Sequence, residues 1–452
     1  MNPTHARSFG WLHIVRLGLV QACLGAMVVL ATSTLNRIMV VELALPALVP
    51  GILVGLHYAV QLVRPRMGFG ADQGRRSTPW MMGGVVVLAL GGTLAAWGTT
   101  LMAESQWQGL ALCLLAFGMI GLGVSAAGTS LLSLMAKRVP ETMRAPAATT
   151  VWVMMIVGFA ITAVTVGKLI EPYSPQRLID VTAGLGVLIV ALTALALWGL
   201  ESGTQAVEQT TGESMRSMRD FRAALAVVWQ DPQARIFTLF VFLSMLAYSS
   251  QDLVLEPFAG AMFGMTPGET TQLSGVHHSG VLIGMLAVAL AGSRRVAGRL
   301  GSVQAWMVGG CWVSALAMAG LASAGMQGGA WPLKANVVLL GMANGAFSIA
   351  AIATMMRLAN AGDGDSQGTR MGLWGAAQAL AFGLGGVLGT ALSDLAHSLL
   401  GQPGWAYASV FTMESGLFVV SALCAVHVGR ITRGVTRTEH ATHPVLGQKG
   451  LS

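Results

Sequence analysis

Twelve stretches of mostly apolar residues, each about twenty long and closed by charges, Pro or Gly, run through this 452-residue chain. A helix needs roughly 20 such residues to cross the hydrocarbon of a bilayer, and no soluble architecture has room to bury twelve of them. The stretches fall near residues 16–36, 44–63, 80–102, 109–135, 146–168 and 178–200, then 234–255, 273–292, 303–325, 333–356, 370–393 and 405–428. Six precede a polar segment running from Glu201 to Asp231, and six follow it. With 54% apolar and 10% charged residues, lipid must be the main solvent of the chain. The expected fold is an all-α membrane protein of twelve transmembrane helices in two six-helix halves. Residues 1–200 form the first half, 201–232 a linker, 233–428 the second half and 429–452 a tail.

The net charge of +7 does not mark a nucleic-acid binder, because the basic residues are spread over short loops instead of clustering on one soluble face. They act as topology signals. Of the 26 Lys and Arg, all but Arg37, Lys168, Arg177 and Lys334 fall on one set of alternate loops. Basic loops stay on the cytoplasmic side, so both termini and the linker are expected there. Arg7 and Arg16 precede an apolar run without a small-residue cleavage site, and this run is expected to remain as the first helix. Cys23, Cys113, Cys311 and Cys424 lie singly in separate apolar runs and suit buried packing better than metal or redox chemistry. In the linker, Met215, Met218, Phe221, Leu225, Val228 and Trp229 recur at helical spacing. They predict an amphipathic helix at the membrane interface, serving as a tether between the halves or as a docking surface.

The halves repeat one another. The loop after the second span reads Gly68-Phe-Gly-Ala-Asp72-Gln-Gly74-Arg75-Arg76, and the loop after the eighth runs from Gly292 through Val296 and Gly298 to Arg299. Both follow Gly-x-x-x-(Asp or Val)-x-Gly-Arg. Glycine permits a tight turn between nearly touching helices, and Asp72 can accept hydrogen bonds from backbone N–H groups or arginines. This resembles the signature loop of the major facilitator superfamily, one residue short between the acid and the second glycine. The fourth and tenth spans also echo each other, through Gly121-Leu-Gly123 and Gly341-Met-Ala-Asn344-Gly345. Small residues at that spacing let helices approach closely in lipid, and two such halves place a cavity between them near the bilayer midplane.

Ionisable residues inside apolar runs are costly and point to function or to an internal contact. Glu414, about ten residues into the last span, is the clearest, and Asn344 and Gln378 add polarity to spans ten and eleven. At the expected outer ends of spans one and seven stand Asn36-Arg37 with Glu42, and Gln251-Asp252 with Glu256. On a helix Asp252 and Glu256 share a face and repel unless a cation such as Arg37 sits between them. The six residues are therefore either a polar gate between the halves or two solvated helix ends. His57 lies in span two, and His277-His278 open span eight among Ser274, Gly275, Ser279 and Gly280. A histidine among small residues could ligate the magnesium of a flat chlorin, or could simply be hydrogen-bonded. No nucleophile–base pair, phosphate loop or metal-spaced cluster stands out, so the sequence makes no case for an enzyme or a metal site.

Several segments together resemble the PucC/LhaA family, a branch of the major facilitator superfamily. They are Thr34 to Leu43, Gln251 to Phe258 with Met265 to Thr271, Asn344-Gly345, Gly372 to Ala379 with its Gln378, and Glu414 to Phe418. The resemblance implies a role in assembling photosynthetic light-harvesting complexes in the inner (intracytoplasmic) membrane of a phototrophic bacterium. It implies binding of antenna polypeptides, delivery of bacteriochlorophyll as cargo, or both, with pigment-synthesis enzymes as further partners. No resident cofactor is implied. The alternative that the fold permits is a secondary transporter moving a small solute by alternating access, with Glu414 coupling to protons.

Overall fold

The computed structural model of the chain describes residues 9–63, 76–201, 229–291, 301–327, 331–360 and 367–442. Among them the chain forms twelve helices. In the first half these are α1 (Trp11–Glu42), α2 (Leu48–Val60), α3 (Thr78–Leu101), α4 (Gln106–Arg138), α5 (Glu141–Leu169) and α6 (Pro175–Leu197). The second half holds α7 (Pro232–Phe263), α8 (Pro267–Ala291), α9 (Val303–Gln327), α10 (Leu333–Asn360), α11 (Gln367–Leu400) and α12 (Pro403–Thr442). Eleven are long and apolar enough to cross a membrane, and α2, with 13 residues, is the short one.

Local chemistry sets the helix ends. α6 and α7 each start with Pro at the first position, where its missing N–H costs nothing, behind a capping side chain. The Ser174 hydroxyl accepts from the Arg177 N–H at 3.2 Å, and the Asp231 carboxylate from the Gln233 N–H at 2.9 Å. α7 ends at Gly264, whose φ of 65° is open to glycine at little cost.

Among the expected boundaries that shift, two bear on the polar residues. The first span was expected to end at 36, but the helix runs on to Glu42 through two π-helical turns, Leu30–Leu35 and Ile38–Glu42. The seventh was expected to end at 255, and it continues through Pro257 to Phe263. Gln251, Asp252 and Glu256 therefore sit inside a helix and not at its end. The signature loop from Gly68 to Arg75, its second copy at 292–300 and the amphipathic linker up to Val228 lie outside the described residues. Arg76, the last residue of the first loop, is exposed just ahead of α3, and Trp229 is exposed ahead of α7.

The buried apolar side chains gather in two clusters. One is drawn from α1–α6 with Leu253 of α7 added, and the other from α7–α12 with Ile156 of α5 added. The halves meet along α2 against α11 and α5 against α8, while the outer part of α1 lies against α7 and α8. At the α5–α8 seam a side chain on Gly167 would strike the Gly268 carbonyl at 2.6 Å, so only hydrogens fit between the two backbones there.

Candidate functional site

Where the outer part of α1 crosses α7 and α8, polar side chains replace apolar packing. Pro257 has no N–H, which leaves the Leu253 carbonyl one turn back without its helical donor. The Asn36 side chain fills that vacancy, donating to the Leu253 carbonyl at 2.8 Å. Ser33 donates to Glu256 Oε1, and the Thr34 and Thr271 hydroxyls lie 2.9 Å apart. Three contacts within about one turn of α1 thus join the two halves through short polar groups buried from solvent.

Arg37 takes a different part from the one expected. Its guanidinium pairs with Glu42 on its own helix and donates to the Met265 carbonyl at 2.7 Å. It lies in the notch left by Gly260, where a side chain would come within 3.0 Å of Nη2. It forms no ion pair with Asp252 or Glu256, because the continued α7 helix turns Glu256 toward Ser33 and carries the arginine one turn further out. Asp252, half-buried, has no hydrogen-bond partner among the described residues. The nearby phenol of Tyr173, in the turn between α5 and α6, is pushed above its ordinary pKa by burial and by the Glu42 charge, with Arg37 opposing.

A second polar string crosses the core of the second half. Ser314 on α9 donates to Asn344 on α10 at 2.8 Å. The Asn344 amide lies 3.4 Å from His277 Nε2 on α8, and the same nitrogen lies 3.5 Å from the Gln251 amide on α7. Next along α7, Ser250 donates to Glu414 Oε1 on α12 at 2.5 Å, with Glu414 wholly buried. The string therefore ties together five helices of one half. Tyr248, 6.2 Å from the His277 ring, faces Phe382 of α11, which in turn contacts Tyr58 of α2 across the boundary. Gln378 is half-buried on α11 and takes no part in either string.

The histidines are placed by packing. His57 meets Gln61, in the 3-10 turn that follows α2, at 2.8 Å and stands edge-on to Tyr58. His278 Nδ1 lies 2.9 Å from the Ser274 carbonyl, with the Phe159 ring edge-on. The small residues beside the histidines suited either a flat pigment or simple packing around hydrogen-bonded rings. They face neighbouring helices: a side chain on Gly275 would strike Val164 at 2.7 Å, and one on Gly280 the Val338 carbonyl at 2.7 Å. Their smallness serves helix contact.

Ser33, Ser250 and Ser314 are absent from the sequence reading, and a lone serine in an apolar run carries no signal that separates it from a packing residue. Asp394 and Glu171, whose carboxylates accept from backbone N–H groups of the opposite half, were also missed. Their acidity in or beside an apolar run was the available signal.

The family model described as PUCC protein matches residues 34–432. The chain belongs to the PUCC protein family. One relative in it, the "Bacteriochlorophyll synthase 44.5 kDa chain" of Rhodobacter capsulatus, is 47% identical over 93% of this chain and 96% of its own length. "Protein PucC" of the same organism is 30% identical, covering 91% of each chain. The sequence made no case for an enzyme, and the first of these PUCC relatives corrects that expectation, since its name makes it a chain of a synthase. Among solved structures, a D-xylose-proton symporter superposes with a TM-score of 0.70 at 11% identity, covering 90% of this chain and 97% of the symporter. This PUCC protein accordingly shares its fold with that symporter.

Proposed function

We propose that this protein serves the assembly of photosynthetic light-harvesting complexes, binding antenna polypeptides, delivering bacteriochlorophyll to them, or both. The observation that carries the reading is the family match over residues 34–432 together with a 47% identical relative named for bacteriochlorophyll synthase. The buried polar strings supply candidate sites. Glu414, with Ser250, is the group on which the assembly role is placed, because a carboxyl at that depth costs several kcal/mol unless it has a partner. The basic-loop asymmetry supports a position in the bacterial inner membrane with both termini and the linker cytoplasmic. Reporter fusions at Gln209 and at the C-terminus test that placement, and a periplasmic signal from either reverses it.

The test of function is loss of the chain in its phototrophic host, followed by near-infrared absorbance of the membranes. Antenna absorbance should fall, and antenna polypeptides or a chlorin spectrum should accompany the purified protein. Glu414→Leu should insert normally yet lower antenna absorbance, with Glu414→Gln milder because it retains a hydrogen bond. Unchanged absorbance in the deletion strain refutes the proposal. A second reading, transport of a small solute by alternating access, is favoured by the symporter-like fold. Saturable uptake of a water-soluble solute into proteoliposomes would support it.

A further inference from the structure

Besides Glu256, which takes the Ser33 hydroxyl, two carboxylates among the described residues cross the boundary between the halves, and both cap the start of a helix. The first N–H groups of a helix have no partner within it, and a negative charge there also meets the positive end of the helix dipole. At the start of α2 the Ala47 and Leu48 N–H groups donate to the two oxygens of Asp394, each at 2.8 Å, and Asp394 belongs to α11 in the other half. At the start of α8, Thr266 and Glu269 form a local capping box. There the Gly268 N–H donates at 2.9 Å, and the Thr266 hydroxyl at 2.5 Å, to Oε1 of Glu171, just past the end of α5 in the first half.

The correspondence is reciprocal. α2 and α8 are the second helices of their halves, and α5 and α11 the fifth. Each half sends an acid from the end of its fifth helix to cap the second helix of the other. Both caps lie at the end of the bundle opposite the start of α1, where α5, α7 and α11 finish and α2, α8 and α12 begin. Charge-assisted hydrogen bonds are about twice as strong as neutral ones, and here neither acid can leave without exposing helix N–H groups that its own half does not satisfy.

We propose that Asp394 and Glu171 are paired latches that hold this end of the protein closed, and that any opening of the two halves at this end must release both. The same chemistry also occurs within one half. Glu201, past the end of α6, accepts from the Ser77 and Thr78 N–H groups at 3.0 and 2.9 Å at the start of α3. That cap joins two helices that belong to the same half, so losing it should cost stability without separating the halves. It is the internal control.

The test uses the full chain in lipid nanodiscs, with the four buried cysteines replaced by alanine. Spin labels go on Glu104→Cys and Gln402→Cys, exposed positions in opposite halves at the latched end. Distances come from double electron–electron resonance. The parent should give one narrow distribution. Asp394→Ala and Glu171→Ala should each raise the population of a longer distance about tenfold, and the double variant by the product of the two, because the sites are separate. Glu201→Ala should leave the distribution unchanged. If the alanine variants are not recovered folded, Asp394→Asn and Glu171→Gln carry the same test with a smaller opening, since each keeps one acceptor oxygen. Folded latch variants whose distances superpose on the parent, or a Glu201 variant that opens the halves equally, overturn the proposal. This outcome is independent of antenna absorbance, so it stands or falls apart from the assembly role.

Discussion

The second helix of each half carries a buried histidine against a glycine of the fourth, and the two histidines are served differently. A side chain on Gly121 of α4 would strike the His57 carbonyl at 2.7 Å, and one on Gly341 of α10 would strike the His277 carbonyl. The backbone arrangement is therefore repeated. The side chains diverge: His57 meets Gln61 in the 3-10 turn that follows its own helix, whereas His277 lies between Gln251 of α7 and Asn344 of α10. Three residues after Gly121 stands Val124, and three after Gly341 stands Asn344. The backbone contact is the same in both halves, and in the second half Asn344 of the fourth helix links His277 of α8 to Ser314 of α9. The repeated glycine contact places the helices, and the departure from it gives the second half a polar link between helices.

Breaking the shared part should have the largest effect. Gly341→Leu and Gly121→Leu each place a side chain on a backbone carbonyl that cannot rotate away, so both should exceed the 1–3 kcal/mol or so typical of core overpacking. Gly341→Leu should be the worse of the two, because Gly345, one turn on, also packs against the Val281 carbonyl. Fluorescence-detected gel filtration after heating reads the loss. Parent-like melting of Gly341→Leu would show that these glycine contacts do not hold the fourth helices in place.

The next effect separates the halves. His277→Leu strands two buried amides on different helices, a loss of about 1–3 kcal/mol if they stay unsatisfied. His57→Leu should cost less, since Gln61 sits where α2 gives way to its final 3-10 turn, at the end of the helix. Lower melting midpoints for His277→Leu than for His57→Leu are expected, and equal shifts would mean that the interhelical string adds nothing to the local contact.

How much of this was legible in the sequence follows from what each feature depends on. Lipid tolerates only long apolar helices, so the twelve-helix layout could be read directly, although the 13-residue α2 falls short of a full span. Glu414 was legible as a lone acid in an apolar run, yet its partner Ser250 was not, because its pairing depends on how α7 rotates against α12. The run Gln251-Asp-Leu-Val-Leu-Glu256-Pro257 looked like a helix end because charge and proline usually mark one. The helix instead passes through Pro257 with the freed carbonyl satisfied by Asn36, and Arg37, lying against Gly260 one turn beyond Glu256, takes Glu42 as its ion-pair partner. The small residues near His277 were legible as small, but the sequence could not say whether pigment or another helix would occupy the space.

The smallest effect gives the sharpest test of the network. Asn344→Val gives the second half the side-chain pattern of the first, with its Val124, and it removes the partner shared by Ser314 and His277. About 1 kcal/mol should be lost. Ser314→Ala alone removes one interhelical hydrogen bond, and such bonds in membranes average about 0.6 kcal/mol. In the Asn344→Val background the Ser314 hydroxyl has lost that partner and can turn back to the carbonyl four residues before it, a bond that adds little to a helix. There Ser314→Ala should be nearly neutral. The two substitutions should thus be non-additive by roughly the whole single-mutant effect, which is the signature of direct coupling in a double-mutant cycle. Strict additivity would mean that the 2.8 Å contact between α9 and α10 contributes no stability, and that the polar string begins at Asn344.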